Sequence, residues 1–280
     1  MVKVITNNNK ISNIIGTMNL NDELNWDPLA ISNSFNKYFS TIAENLLIKN
    51  TNKGINTDPM KYLRQEFKQI RSSITLKKVT NNEVDKIIYS LKVKISHGYD
   101  DISTKMLKSS DPYILSPLTY IFNKVLSTGT FPDRLKFSEV KPLVKKKDKE
   151  ELFNYRPVSL LPSFSKIIEK ITYKRLYNYL KDNNLLVDDQ YGFREKISTE
   201  NAVYTLLNYI LSELDKRNHS GSLFCDLQKA FDRVNHEILL SKMKFYGILG
   251  TVNKLIESYL RNRYKRVLMN SNNSNKAFSE

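Results

Sequence analysis

Two aspartates set the chemical question. In LFCDLQKAFDRVNH, residues 223–236, Asp226 stands among Phe224, Cys225 and Leu227, and Asp232 follows after Ala230 and Phe231. An ionised carboxylate in apolar surroundings is costly unless a cation faces it. A salt bridge or a divalent cation would meet that need, and spacing alone favours the salt bridge. Phe231 reads by itself as a core aromatic, and Asp232 as a cap for the turn that follows. The cations are abundant. The stretch Arg134 to Lys181 carries 13 basic and 5 acidic residues, within a chain of net charge +15 and pI near 9.6. Such an excess points to a polyanionic partner, nucleic acid or an acidic surface, although a basic pI also serves simple solubility.

The elements that must position these groups follow from periodicity. Gly221 to Gln228 alternates in the manner of a strand, with Phe224 and Asp226 on one face and Leu223, Cys225 and Leu227 on the other. Residues 135–161 read as a hairpin, with β-like pieces at Val140–Val144 and Pro157–Leu161 around the charged tip KKKDKEELFNYR. Helices are expected elsewhere. Thr80 with Glu83 opens one through Leu91, Asp111-Pro112 starts one that stops at Gly129, and others cover 163–181, 199–216, 236–246 and 252–262. A strand from Arg263 to Met269 follows, then a turn at Ser271–Ser274 and a returning strand cut off at Glu280.

The N-terminal part is different. Residues 1–27 are Asn-rich and polar and are expected to form a disordered arm, and residues 28–73 an amphipathic helix and linker. The helix carries Leu29, Phe35, Tyr38, Phe39, Ile42 and Leu46 at helical spacing, an aromatic face that must dock on something. The domain proper is expected over residues 74–280. Several classes are disfavoured. No apolar run approaches the roughly 20 residues of a membrane span, and no secretory h-region opens the chain. The single cysteine, Cys225, excludes an intramolecular disulfide, and three scattered histidines lack zinc-ligand spacing. The expected location is intracellular, cytoplasm or nucleus, rather than secreted.

The segment FCDLQKAFDRVNHEILLSKMKFYGILG resembles the first catalytic box of reverse transcriptases (RNA-directed DNA polymerases) of non-LTR retrotransposons, particularly the jockey-like mobile elements. HGYDDIS (97–103), FPDRLKFSEVKPLVKKKD (131–148), NYRPVSLLPSFSKIIEK (154–170), QYGFREKISTENA (190–202) and ESYLRNR (257–263) resemble further blocks of that family, in its order. The likeness spans roughly residues 28 to 269, and its specificity lies in the ordered set rather than in any one block.

The resemblance implies an α+β fold: right-hand polymerase fingers plus an incomplete palm, mostly helical with a basic antiparallel hairpin. It implies nucleotidyl transfer served by two Mg²⁺ ions, with an RNA template, a DNA primer and deoxynucleoside triphosphates as partners. Asp226 would be the catalytic carboxylate and a metal ligand, with the carbonyl of Leu227 beside it. Lys145 and Arg156 would hold the triphosphate, Arg156 through a two-pronged guanidinium contact. Phe231 would exclude a ribose 2′-hydroxyl. Arg194, Arg261, Arg263, Lys265 and Arg266 would touch the nucleic-acid backbone, which sets affinity without reading sequence. Tyr191 and Phe193 read equally well as packing residues, and Gly98 and Asp100 as folding residues.

Two features limit what the resemblance implies. The family's second catalytic box, an aromatic-Ala-Asp-Asp hairpin, is not in the sequence, since Asp100-Asp101 precedes the first box and Asp188-Asp189 lies in VDDQ. A lone Asp226 cannot fix two cations, so this chain alone is expected to lack processive synthesis. A non-catalytic nucleic-acid-binding relic is the second reading, and a nuclease built on Asp226 and Asp232 a third. The polymerase mechanism also requires Asp226 and Arg156 to face one cavity.

Overall fold

The computed structural model describes residues 16–20, 23–48, 58–67, 69, 73–145, 148–227, 229–270 and 276–279. They fall into two compact units. The larger comprises Met1–Thr172 with Asp232–Glu280, and the smaller Tyr173–Phe231. The architecture is α+β, as the sequence predicts.

In the larger unit, β3 (Ser138–Val144) and β4 (Tyr155–Leu160) form the antiparallel hairpin, with Leu143 opposite Arg156 and Lys141 opposite Val158. β3 then pairs in parallel with β5 (Lys265–Asn270), and β5 pairs antiparallel with β6 (Lys276–Phe278). The sheet order is β4-β3-β5-β6. One face is covered by α1 (Pro28–Ile48), whose Ile31, Phe35, Phe39 and Ile42 pack with Val140, Tyr155, Val267 and Met269. The aromatic stripe of α1 therefore docks on this sheet. Phe35 meets Tyr155 edge-on at 4.9 Å, a geometry that adds to the area term.

A second core is helical. α3 (Asn81–Ser90), α4 (Thr104–Thr128), the start of α5 (Ser163–Asp182) and α8 (Gly250–Leu260) enclose Val84, Ile88, Leu107, Phe122, Ile167, Ile168 and Leu255. The Thr80 hydroxyl caps α3 by accepting from the Glu83 N–H, 3.2 Å. α4 departs from expectation. It begins seven residues before Asp111, because the Ser103 hydroxyl caps it through the Met106 N–H, and it runs through Pro112 and Pro117. Proline at an Asp-Pro step resembles a first helical residue, yet apolar contacts of Leu107 on one side and Leu118 and Phe122 on the other hold the helix across it. Gly129 ends α4 in the left-handed region, φ +64°, and a Cβ there would lie 2.7 Å from the Thr251 carbonyl.

Two further expectations are corrected. The polar segment expected to be a disordered arm contains a short hairpin, β1 (Met18–Leu20) with β2 (Glu23–Asn25), anchored by fully buried Met18. Residues 1–15, and the turn expected at Ser271–Ser274, lie outside the described residues. The strand expected at Gly221–Gln228 is absent over 221–227, which have no ladder partner and are exposed throughout. Alternation of side chains defines two faces, but a strand also needs a neighbouring backbone to satisfy its N–H and C=O groups.

The smaller unit holds the rest of α5 and α6 (Thr199–Asp215). The side chain of Asn201 accepts from the N–H and hydroxyl of Ser198, at 2.9 and 3.0 Å, which fixes the start of α6. No α6 residue is buried within the described structure.

Candidate functional site

The hairpin presents one face to solvent. Residues 141, 143 and 145 alternate onto the same side of β3, and Arg156 stands opposite Leu143. The Lys145 N–H continues the ladder by donating to the Asn154 carbonyl, 2.7 Å, so Lys145 keeps that register. Diagonal neighbours across an antiparallel pair lie about 7–8 Å apart. Arg156 is thus flanked on one face by Lys145 and by Lys141. Arg156 and Lys145 are exposed. Among the described residues none of these three cations lies in an ion pair with a carboxylate. Leu143, between Lys141 and Lys145, and Val158, opposite Lys141, are each 38% exposed. Lys141 was not singled out from the sequence. The alternation of EVKPLVK carries the signal, since it places position 141 on the face of position 145.

The base of the hairpin is braced by the HGYDDIS block. A Cβ on Gly98 would sit 2.8 Å from the Pro162 nitrogen, so only glycine lets that loop lie against the end of β4. The Ser163 hydroxyl donates to the Ile102 carbonyl at 2.9 Å. Asp100 contributes locally by accepting from the Ile102 N–H.

The cations of 261–266 differ from those of the hairpin. Arg261 bridges Glu237 at 2.6 Å and Glu257 at 3.0 Å. Arg263 donates to the Tyr259 carbonyl at 3.1 Å and lies 4.5 Å over that residue's ring. The Tyr259 hydroxyl donates to Glu169 at 3.0 Å. Burial, followed by the Glu169 charge, pushes its pKa up to about 12. Lys265 donates to the Phe39 carbonyl at 2.9 Å; burial lowers its pKa, opposed by the charge of Asp232. Arg266 pairs with buried Glu139 at 2.6 Å and stacks 3.9 Å over Phe278. These four are therefore held by internal partners.

In the smaller unit, Asp226 and Leu227 lie on the unpaired 221–227 segment, with Leu223, Phe224 and Leu227 strongly exposed. Phe231 is exposed, not a core aromatic, and meets Phe193 edge-on at 5.8 Å. Arg194 donates to the Val187 carbonyl at 2.8 Å. Asp226 and Arg156 belong to different units, as do Asp226 and Asp232. Among the described residues no group of three or more His, Cys, Asp or Glu side chains is placed to hold a metal ion. One carboxylate with one neighbouring carbonyl does not fit a two-cation centre, which needs several anionic oxygens. No helix among the described residues is long and apolar enough to cross a membrane.

Comparison with known proteins gives the family. Residues 144–280 match the family model described as reverse transcriptase (RNA-dependent DNA polymerase). The chain is 33% identical over 201 residues to a probable RNA-directed DNA polymerase from transposon BS of Drosophila melanogaster, covering 69% of this chain and 21% of that protein. It is also 33% identical over 167 residues to the RNA-directed DNA polymerase from mobile element jockey of Drosophila funebris, covering 59% of this chain and 18% of that protein. The jockey polymerase of Drosophila melanogaster is 33% identical over 184 residues, 65% of this chain and 20% of the relative. The chain thus spans about a fifth of the length of these relatives. Its last 137 residues, which carry the Lys145–Arg156 hairpin face and the Asp226 segment, are a reverse transcriptase domain homologous to the RNA-directed DNA polymerases of jockey-like, non-LTR retrotransposons.

Proposed function

We propose that this chain is the nucleotide- and strand-holding part of an RNA-directed DNA polymerase, its hairpin and helical core the fingers and its Asp226 segment the start of the palm. The observation that carries this is the exposed hairpin face, where Arg156 and Lys145 have no acidic partner among the described residues. A guanidinium beside an ammonium is suited to the oxygens of a deoxynucleoside triphosphate, the first engaging two oxygens and the second adding a point charge. Asp226 supplies one carboxylate of the reaction centre and Leu227 a carbonyl. Phe231, exposed at the end of the same unit, is the steric filter at the sugar. Arg194, Arg261, Arg263, Lys265 and Arg266 contact a bound RNA–DNA backbone only through donors left over after their internal bonds, so they rank behind the hairpin. Action inside the cell, in cytoplasm or nucleus, goes with these substrates.

With a single carboxylate assigned to the reaction, the 280-residue chain alone binds but does not extend. Titration of the purified chain with dTTP tests the grip. Arg156→Ala is expected to weaken binding at least 10-fold and Arg156→Lys to restore only part, whereas an unchanged affinity in both variants overturns the assignment. Primer extension on a poly(rA) template tests the rest. Incorporation of several nucleotides by the chain alone would show that the reaction centre is complete. A second reading, supported by the same exposed cations of the hairpin face, is a nucleic-acid-binding protein without catalysis. It predicts salt-dependent RNA binding with no dTTP dependence on Arg156.

A further inference from the structure

We propose that Asn19 is a positioning residue for the hairpin grip: it clasps the return limb of the β3–β4 tip, residues 148–154, and keeps the Glu151 carboxylate off Lys145 and Arg156. The proposal rests on those two cations being the anion contacts. It gives a role to a residue that lies well before the family-matched span, 144–280. The limb needs holding because it is acidic. Asp148, Glu150 and Glu151 all lie between Lys145 and Arg156 in sequence. A carboxylate so near would compete with phosphate oxygens for the same donors.

The acceptors of the limb are turned toward other donors. The Asp148 carboxylate accepts from the Glu150 N–H at 3.0 Å. The Glu150 carbonyl accepts from the Asn19 N–H at 2.8 Å, and the Glu151 carboxylate from the Asn19 side-chain amide at 3.3 Å. Asn19 reaches both because it lies in the middle of β1, between the Met18–Asn25 and Leu20–Glu23 pairs. Met18 anchors that strand, fully buried in the core that also holds Tyr155 and Leu152. The Tyr155 hydroxyl donates to the Lys149 carbonyl at 2.7 Å, so the limb is fixed at 149, 150 and 151 in turn. The asparagine itself is costly. Its Oδ1 is buried with no hydrogen-bond partner among the described residues, and an unmade buried bond lowers stability. Stability alone does not favour asparagine here; its two contacts with the limb do.

The test uses the full 280-residue chain with dTTP as the probe. Asn19→Ala is expected to weaken dTTP binding about 3- to 10-fold, the range for one net hydrogen bond, with the urea midpoint of the whole chain unchanged. Amide exchange over residues 148–155 should quicken about 5-fold or more, while α3 and α4 exchange as in the parent. Glu151→Gln alone keeps an acceptor for Asn19 and should leave dTTP affinity within about twofold of the parent. Added to Asn19→Ala, the same change should restore most of the lost affinity, because an uncharged amide does not compete for Lys145 and Arg156. A purely structural contact would give no such rescue. Unchanged exchange in Asn19→Ala overturns the clasp. Unchanged dTTP affinity, or a loss that Glu151→Gln does not repair, overturns the positioning role. Arg156→Ala separates the two levels: if it leaves dTTP binding intact, the nucleotide grip falls, and quickened exchange in Asn19→Ala still upholds the clasp.

Discussion

The hairpin face and the 261–266 segment are both rich in Lys and Arg, and their cations serve opposite ends. On the hairpin, Arg156 and Lys145 project without acidic partners among the described residues. In the segment, Arg261 holds two glutamates, Arg263 a carbonyl and a ring, Lys265 a carbonyl of α1, and Arg266 a buried glutamate. Net charge cannot tell these regions apart, because it counts the cation and not what already neutralises it. What makes a basic residue available to a polyanion is the absence of a local partner.

Mutation of each region should sharpen the contrast. The largest effect is expected for Arg266→Ala, which strands Glu139 at 4% exposure. Breaking a buried pair by removing one partner costs about 3–5 kcal/mol. Urea unfolding should show that loss, and a change under 1 kcal/mol would mean that Glu139 finds water. Next in size is a buried acid that faces a second acid. Asp111 is 2% exposed, and burial, with a hydrogen bond to and the charge of Asp85, pushes its pKa up to about 6. A raised carboxyl pKa means that the folded state holds the proton more tightly than the unfolded chain. Stability therefore falls as pH rises from about 4 through 6, and is flat above. Asp111→Asn should gain about 1–2 kcal/mol at pH 7.5 and almost nothing near pH 4. Thermal melts at both pH values check this, and equal gains at both would dissociate the effect from ionisation. Smaller still, Arg261→Ala should cost at most about 1 kcal/mol, fading in 0.5 M salt because its pairs are exposed. Arg156→Ala should alter unfolding by no more than about 0.5 kcal/mol, its effect appearing in ligand binding alone.

Much of the scaffold was legible because it is built from local signals. The Thr80 cap, the Gly129 stop, the 3.6-residue stripes of α6 and α8 and the charged hairpin tip all act within a few residues. The errors share a cause as well. Asp111-Pro112 reads as a helix start because the apolar contacts that carry α4 across it come from other helices. The polar arm concealed β1 because one residue, Met18, anchors it. Residues 221–227 have the alternation of a strand but no partner edge. In the site, Arg156 and Lys145 can be named from their block, and the i,i+4 partners of Arg261 and Arg263 are local, whereas the engagement of Lys265 and Arg266 is not legible. The partners of Lys265 and Arg266, Phe39 and Glu139, lie 226 and 127 residues away in sequence.

The parallel pairing of β3 with β5 has a consequence for biosynthesis. The Ser138 N–H bonds the Tyr264 carbonyl, a join across 126 residues, whereas the hairpin closes within about 20. At synthesis rates of roughly 5–20 residues per second, those intervening residues take on the order of ten seconds to emerge. During that interval Phe35 and Phe39 of the nascent helix lack β5, the strand that later seats Val267 and Met269 against them. The hairpin residues Val140 and Tyr155 can cover the helix early, but the β5 part of its seat arrives only at the end of that interval.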